Sequence, residues 1–224
     1  MAGSIAPNII TDGLIFYIDA ANNRSYPGSG TSCLDLSGNS NNGTLINSPS
    51  FSNNFFTFNG SNYISCGNSS ILQITVGSIS AWFLTISPGS SYRSIITKQF
   101  AWGLFAQDNI LVTYDWGNSA PRTTNINVAD GQWKNVVLTF TQTVGNPSNN
   151  AIIYLNGVPV LTTTVRHTNQ NENLEISRGG SGGGGQTQFL NGSVSSAMVY
   201  NRVLSQSEIL QNYNATRSRF GIIS

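Results

Sequence analysis

Short strand-like segments recur along the whole chain, and turn-forming residues separate them. Only one segment, near the C-terminus, has a helical pattern instead. Many short strands at this spacing with a single helix predict an all-β protein, either a sandwich or a barrel. The predicted strands are residues 14–19, 44–46, 55–58, 62–66, 78–86, 93–98, 102–106, 109–115, 132–141, 150–156, 158–164, 173–178 and 189–200.

The C-terminal segment carries the clearest local signals. From Asn191 to Tyr200 apolar and polar residues alternate, which predicts a half-buried strand. The following Ser205-Gln-Ser-Glu208 has the form of a capping box, and Leu204 and Ile209 flank it as a hydrophobic staple. We therefore predict one short helix after the closing strand, ending before Gly221.

Two further segments have specific strand signals. Asn156-Gly157 can adopt positive φ at both residues, which predicts a type I′ turn and a tight hairpin. Pro159 cannot donate a ladder hydrogen bond, so the returning strand is expected at a sheet edge or a bulge. The strand 132–141 is apolar on both faces, as expected for a central strand. The glycine-rich residues 179–185 are interpreted as a mobile surface loop.

Composition limits the classes of partner. A chain of 224 residues is most simply a single all-β domain. Its ten lysines and arginines are scattered and the formal net charge is +1, so we expect no nucleic-acid binding. No apolar run approaches the roughly 20 residues of a membrane span, so no membrane insertion is expected. The first residues lack the pattern of a Sec signal peptide, which predicts synthesis in a cytoplasm.

Cys33 and Cys66 are the two cysteines of the chain. Two thiols do not make a disulfide framework, and a free cysteine is commonly a small buried hydrophobic residue. We therefore predict that both side chains are buried, and pairing between them stays open.

Several short segments, taken in order, resemble one fold family. They are Gly13-Leu-Ile-Phe-Tyr-Ile-Asp-Ala20, Asp35-Leu-Ser-Gly-Asn-Ser-Asn-Asn-Gly-Thr44, Ile79-Ser-Ala-Trp-Phe83, Gly131-Gln-Trp-Lys-Asn-Val-Val137, Ile153-Tyr-Leu-Asn-Gly-Val158 and the C-terminal segment. Together they are similar to laminin-G-like domains, which are concanavalin A-like lectin/glucanase jelly rolls. The resemblance implies a two-sheet antiparallel jelly-roll sandwich with one short C-terminal helix. We place this domain at residues 12–216, between an N-terminal arm (1–11) and a C-terminal tail (217–224).

The residue patterns of catalysis are missing from the sequence. In the glucanase branch of the resembled superfamily the carboxylates lie along one strand as Glu-x-Asp-x-Glu, and this chain has no such pattern. Glu172 and Glu175 are close in sequence, but their odd spacing places them on opposite faces of a strand. His167, the single histidine, stands in a polar stretch without a nucleophile elbow nearby. We therefore predict that the protein is not an enzyme and has no catalytic residues.

A calcium site is one interpretation of the loop at 35–43, because its side chains offer the oxygen ligands that Ca²⁺ prefers. In the resembled family an acidic residue often stands near the position of Ser196, and here it is absent. The competing interpretation is that these side chains cap their own turn by hydrogen bonds. The candidate calcium ligands are Asp35, Asn39 and Asn41.

Ligand binding depends on the aromatic residues. Trp82 and Trp133 match the buried strand tryptophans of the resembled family, whereas Trp102 and Trp116 do not. An aromatic ring beside amide, carboxylate and guanidinium groups suits a sugar, which has an apolar ring face and a rim of hydroxyls. Covering the sandwich edge and contacting another protein remain alternatives. The candidate ligand-binding residues are Trp102, Tyr114, Asp115, Trp116 and Arg122.

Three functions fit these observations. The opening 12–30 and the ending 213–221 look similar to domains in structural proteins of tailed phages. We therefore expect a virion surface or structural protein, such as a capsid decoration or a tail or fibre component, displayed on the particle. Its expected partners are other virion proteins, with glycan binding and homo-oligomer formation left open. The alternatives are a stand-alone carbohydrate-binding, lectin-like module and, third, a glycan-active hydrolase.

Overall fold

The structure is a computed structural model that describes residues 7–86, 91–142, 148–180 and 187–223. The alternating segments of the sequence form strands in it. Within these ranges the strands form two antiparallel sheets, and the predicted jelly-roll sandwich is confirmed. In chain order the strands are β1 Leu14–Asp19, β2 Ser32–Cys33, β3 Gly43–Ile46, β4 Ser50–Ser52, β5 Phe55–Asn59, β6 Tyr63–Ser65, β7 Val76–Thr85, β8 Arg93–Lys98, β9 Trp102–Gln107, β10 Ile110–Asp115, β11 Ala120–Asn127, β12 Lys134–Thr141, β13 Ala151–Leu155, β14 Val158–Thr163, β15 Leu174–Ile176 and β16 Asn191–Tyr200.

Each sheet has eight strands in the described parts of the chain. The first sheet has the order β14-β13-β12-β7-β16-β5-β4, and β1 also pairs with β16. The second sheet has the order β11-β10-β9-β8-β15-β6-β3-β2. The closing strand β16 is therefore central. Eight of its ten residues are buried, so the prediction of a half-buried strand is wrong, because the sheet is covered on both faces along most of this strand.

The core lies between the two sheets. Phe16 and Leu138 enter it from the first sheet, and Leu104 and Ile176 enter it from the second; all four are fully buried. Cys33 and Cys66 are also buried there as free thiols, which confirms the prediction of burial. Burial raises the pKa of the Cys33 thiol to about 12, so the uncharged thiol is the relevant form.

The C-terminal helix closes the outward face of the first sheet. It runs over Gln206–Thr216 (α1), and Ser205 and Glu208 form the predicted capping box. Hydrogen bonds from Arg202 to the Glu208 carboxylate lower the pKa of that group to about 2. Leu204 and Ile209 are both buried in one apolar cluster over this face, as the staple prediction requires.

The predicted hairpin and its edge strand are confirmed. Asn156 and Gly157 have φ of 52° and 81°, and they join β13 to β14. β14 is the edge strand of the first sheet. Pro159 pairs with Tyr154 of β13, and the register between the two strands shifts between Ile153 and Tyr154. Strand β12 lies inside the sheet between β7 and β13, also as predicted.

The predicted arm and tail both contact the domain where the structure describes them. Ile10 of the arm donates its backbone N–H to the side chain of Asn212. The chain after α1 continues as a 3₁₀ helix at Arg217–Phe220, and the ring of Phe220 stacks on Trp82 with centroids 4.2 Å apart. The proposed boundaries at 12 and 216 stay predictions. Residues 1–6 of the arm and 181–185 of the predicted glycine-rich loop lie outside the described residues.

The two family-type tryptophans occupy different environments. Trp82 is buried as expected, but it lies on the outward face of the first sheet, where it stacks on Tyr213 of α1. Trp133 is only half-buried beside Phe55 and Phe220, so its prediction as a core tryptophan is wrong. The difference arises because Trp133 precedes β12 and is not part of the strand.

None of the helices in the described ranges is long and apolar enough to cross a membrane.

Candidate functional site

The outward face of the second sheet carries its own aromatic cluster. In β9, Leu104 and Ala106 point into the core, so Phe105 between them faces outward. Phe105 packs with Val112 of β10 and with Trp116, which begins the turn after β10. This cluster is separate from the main core, and it forms the floor of a pocket.

The pocket, which we call the aromatic pocket, has a volume of about 350 Å³. The ring of Tyr114 contacts two other rings of the lining, with its centroid 5.3 Å from that of Trp116 and 5.5 Å from that of Tyr92. These contacts fix the rings at an angle to one another, which leaves concave apolar surface between them. The pocket is lined by Tyr92, Gln99, Phe100, Phe105, Tyr114, Trp116, Ser119, Thr168 and Gln188.

Neutral polar groups complete the lining. The side-chain oxygens of Gln99 and Gln188 are buried and accept no hydrogen bond from the described residues. A buried acceptor without a donor is unfavourable, and a ligand hydroxyl would satisfy it once the amide side chain rotates toward the pocket. Ser119 and Thr168 add hydroxyl groups to the same pocket. The aromatic pocket therefore combines ring surfaces with neutral hydrogen-bonding groups.

An ion-pair cluster lies under the turn that carries Trp116. Asp115 is fully buried, and its Oδ2 accepts hydrogen bonds from Arg122 Nη2 and Arg166 Nη1, both at 2.6 Å. Arg122 Nε also donates to the backbone oxygen of Thr164. The backbone N–H of Trp116 donates to the backbone oxygen of Arg166. Asp115 and Arg122 therefore position the β10–β11 turn, and neither lines the aromatic pocket.

The structure brings only two of the predicted ligand-binding residues into the aromatic pocket, Tyr114 and Trp116. Trp102 is 1% exposed and packs in the core against Phe140, because it shares the inward face of β9 with Leu104. Several other residues of the aromatic pocket were not among the predicted ones. For Phe105, alternation with its core neighbours was a usable signal; Tyr92, Gln99, Phe100 and Gln188 come from connections whose meeting no local pattern indicates.

The candidate calcium loop is held together by its own hydrogen bonds. Asp35 Oδ1 accepts from the backbone N–H groups of Tyr17 and Ser37, and Oδ2 accepts from the Ser37 hydroxyl and the backbone N–H of Asn41. The side-chain N–H groups of Asn39 and Asn41 both donate to the backbone oxygen of Ile15. These contacts fit the self-capped turn, since both carboxylate oxygens already have donors.

We expect chelation by EDTA to leave the melting temperature unchanged, because the Asp35 carboxylate already accepts four hydrogen bonds from the protein. Asp35→Ala, in contrast, is expected to destabilise the fold by about 2 kcal/mol, since it leaves several donors without an acceptor. Differential scanning calorimetry with and without EDTA measures both effects. A melting temperature that falls on chelation and recovers with added Ca²⁺ would restore the calcium interpretation.

One acidic residue lies buried on the outward face of the second sheet. Glu175 is 1% exposed between Leu174 and Ile176, which both point into the core. Burial raises the pKa of its carboxyl group to about 7, although Arg178 at 3.3 Å opposes the shift. Glu175 does not line the aromatic pocket, and no acidic residue among those described does. Within the described residues no cluster of three or more His, Cys, Asp or Glu could hold a metal.

Solved structures show the same fold in proteins of several kinds. Domain 4 of AbnA, a GH43 extracellular arabinanase from Geobacillus stearothermophilus solved with arabinotriose, is 15% identical with a TM-score of 0.64, covering 89% of this chain and 98% of that one. The binding domain of Paraclostridial Mosquitocidal Protein 1 is 16% identical with a TM-score of 0.66, covering 92% of this chain and 52% of that one. Trypanosoma rangeli sialidase in complex with sialic acid is 14% identical with a TM-score of 0.70, covering 96% of this chain and 36% of that one.

These likenesses show the fold, since the identities are low. The chain spans about half of the mosquitocidal binding domain and about a third of the sialidase. No curated protein sequence matches the chain. A laminin-G-type family model described as the concanavalin A-like lectin/glucanases superfamily matches residues 58–210, which run from β5 through the closing strand β16 into α1. The chain therefore belongs to the concanavalin A-like lectin/glucanase superfamily.

Proposed function

We propose that this protein is a non-catalytic carbohydrate-binding module and that its ligand occupies the aromatic pocket. The observation that carries the proposal is the pairing of angled aromatic rings with the buried amide oxygens of Gln99 and Gln188, which accept no hydrogen bond from the described part of the chain. The rings provide apolar surface for the face of a sugar, and the amide oxygens accept from its hydroxyls. The volume of about 350 Å³ suits one or two sugar units.

The location of the pocket also supports this function. Phe105 and Tyr114 stand on the strands β9 and β10, and the Asp115 ion pairs hold the turn that carries Trp116, so these three rings are positioned before any ligand arrives. Preorganisation reduces the entropy lost on binding. AbnA domain 4, which has this fold, was solved with arabinotriose, and that complex is consistent with carbohydrate as the ligand class here.

Tyr114→Ala is expected to weaken glycan binding at least about ten-fold, because it removes the ring of the pocket that contacts both Tyr92 and Trp116. The matched control is Tyr63→Ala. Tyr63 faces outward from the same sheet but lies under Arg178, outside the pocket. A glycan array identifies the ligand, and isothermal titration calorimetry measures the two variants. Equal loss in both variants, or no glycan bound by the wild-type protein, would contradict the proposal.

The non-catalytic part of the proposal rests on the lining of the pocket. Retaining glycosidases need two carboxyl groups about 5–5.5 Å apart. Among the described residues no carboxyl group lines the aromatic pocket, and the buried Glu175 is paired with Arg178. Release of reducing ends from a polysaccharide that binds the module would overturn this part and favour a hydrolase.

The virion location stays a prediction from the sequence resemblance at 12–30 and 213–221. A glycan-binding module fits a particle surface that must attach to a cell, with other virion proteins as its partners. Mass spectrometry of purified particles tests the location directly. Detection of the chain only outside the particle fraction would leave the stand-alone module as the remaining interpretation.

A further inference from the structure

A second pocket, of about 520 Å³, lies on the outward face of the first sheet beside the C-terminal segment. Phe55 of β5 and Ser195 of β16 contribute from the sheet, and Arg219 and Phe220 contribute from the 3₁₀ helix after α1. We call it the Arg219 pocket. Its remaining lining residues are Ala21, Asn53, Asn54 and Trp133.

Three aromatic rings form one wall of the Arg219 pocket. The ring centroid of Trp133 is 5.2 Å from that of Phe55 and 4.7 Å from that of Phe220. Phe220 in turn stacks on the buried ring of Trp82 at 4.2 Å. Trp133 is half-buried, so part of its indole surface faces solvent although its neighbours hold it in place. This wall can stack against the face of a ring-shaped ligand.

The guanidinium group of Arg219 is held at the pocket by a buried carboxylate. Its Nη1 donates to Oδ2 of Asp19 at 2.7 Å, and Asp19 is 1% exposed. The hydroxyl of Tyr17 donates to the same oxygen, and the backbone N–H of Ala21 donates to the other. Asp19 is therefore fixed, and it orients Arg219. The hydrogen bond to Asp19 uses one of five donors, and the Arg219 side chain is still 38% exposed.

Neutral polar groups also line the Arg219 pocket. Asn53 and Asn54 have φ of 51° and 67° and form the tight turn between β4 and β5, with exposed side chains. The hydroxyl of Ser195 donates to the backbone oxygen of Asn54, which holds this turn against the sheet. The two carboxamides offer donors and acceptors to a ligand placed on the aromatic wall.

We propose that the Arg219 pocket is a second binding site and that it takes a saccharide carrying a carboxylate group. The planar guanidinium fork matches a carboxylate, and the aromatic wall matches the sugar ring that bears it. The aromatic pocket contains no charged side chain among its described lining residues, so the two pockets differ in specificity. They lie on outward faces of different sheets, and this inference does not depend on the function proposed for the first.

The indole N–H signals in a ¹H–¹⁵N NMR spectrum test the proposal with D-glucuronate and its neutral counterpart D-glucose as probes. Trp133 reports the Arg219 pocket, Trp116 reports the aromatic pocket and Trp102, in the core, reports the fold. We expect D-glucuronate to shift the Trp133 signal in a saturable manner, at least about ten-fold more tightly than D-glucose. The Trp133→Phe variant lacks one indole N–H signal, and this loss assigns the signal to Trp133.

Arg219→Lys keeps the positive charge beside Asp19 but removes the planar fork. We expect it to weaken D-glucuronate binding about ten-fold with the Trp102 signal unmoved. Tyr114→Ala is the matched control and should leave the Trp133 titration unchanged. No saturable shift of Trp133, equal affinity for the two sugars, or full affinity in Arg219→Lys would overturn the inference. Because Trp116 is followed in the same spectra, failure at one pocket is distinguishable from failure at the other.

Discussion

Asp115→Asn is expected to lower the free energy of unfolding by about 3 kcal/mol, although the substitution changes only one side-chain atom. Asp115 is fully buried and pairs with two arginines, Arg122 and Arg166, whose side chains are 26% and 23% exposed. Removing the negative charge leaves two partly buried guanidinium groups without this counter-charge. Loss of one partner from a buried ion pair typically costs about 3–5 kcal/mol, and the partial exposure of the arginines places the effect at the lower end.

Urea unfolding monitored by circular dichroism measures the Asp115 effect, and Asp12→Asn is the matched control. Asp12 also pairs with a basic residue, Arg202, at 2.7 Å, but its side chain is 83% exposed. An exposed pair is worth less than about 1 kcal/mol, so the control should be nearly neutral. Equal effects of the two substitutions would contradict the role assigned to the buried cluster. Glycan binding by Asp115→Asn should also weaken, since the cluster positions the turn of Trp116.

Local pattern was sufficient to predict most of the first sheet and the closing helix. The capping box at Ser205 and the turn at Asn156-Gly157 are chemical signals that need no tertiary context. Strand β11, in contrast, is missing from the predicted strands. Its sequence Ala-Pro-Arg-Thr-Thr-Asn-Ile-Asn has five polar residues of eight and a proline, so it lacks an apolar strand pattern. It is an edge strand with alternating half-buried and exposed residues, so pairing with β10 determines it and apolar periodicity does not.

The binding pockets were less predictable because their residues meet only in the folded chain. Tyr114 and Trp116 were found since they are neighbours in sequence, whereas Trp102 was placed with them because it does not match the buried tryptophans of the resembled family. Its spacing to Leu104 already indicated an inward position. Trp133 shows the opposite error: its neighbour Phe220 is far away in sequence, and only the packing of the C-terminal segment reveals that this tryptophan lines a pocket.

Trp82→Ala is expected to have the second large effect, a loss of about 3–5 kcal/mol in the free energy of unfolding. Trp82 is 2% exposed, and its ring fills the space between the first sheet and the C-terminal segment, stacking on Tyr213 and Phe220. Its Nε1 also donates to Oγ1 of Thr216 at 2.8 Å. Alanine would remove both aromatic contacts and leave a cavity that the rigid sheet cannot close.

Trp82→Phe keeps one aromatic ring in the site, although a smaller one, and removes the N–H that donates to Thr216. We expect the lost hydrogen bond to lower the free energy of unfolding by about 1 kcal/mol, in addition to the cost of the smaller ring. Urea unfolding of Trp82→Phe and Trp82→Ala measures both free energies. Phe220 stacks on Trp82 and lines the Arg219 pocket, so Trp82→Ala should also weaken D-glucuronate binding there more than binding at the aromatic pocket. A Trp82→Ala protein as stable as wild type would show that the C-terminal segment contributes little to the sandwich.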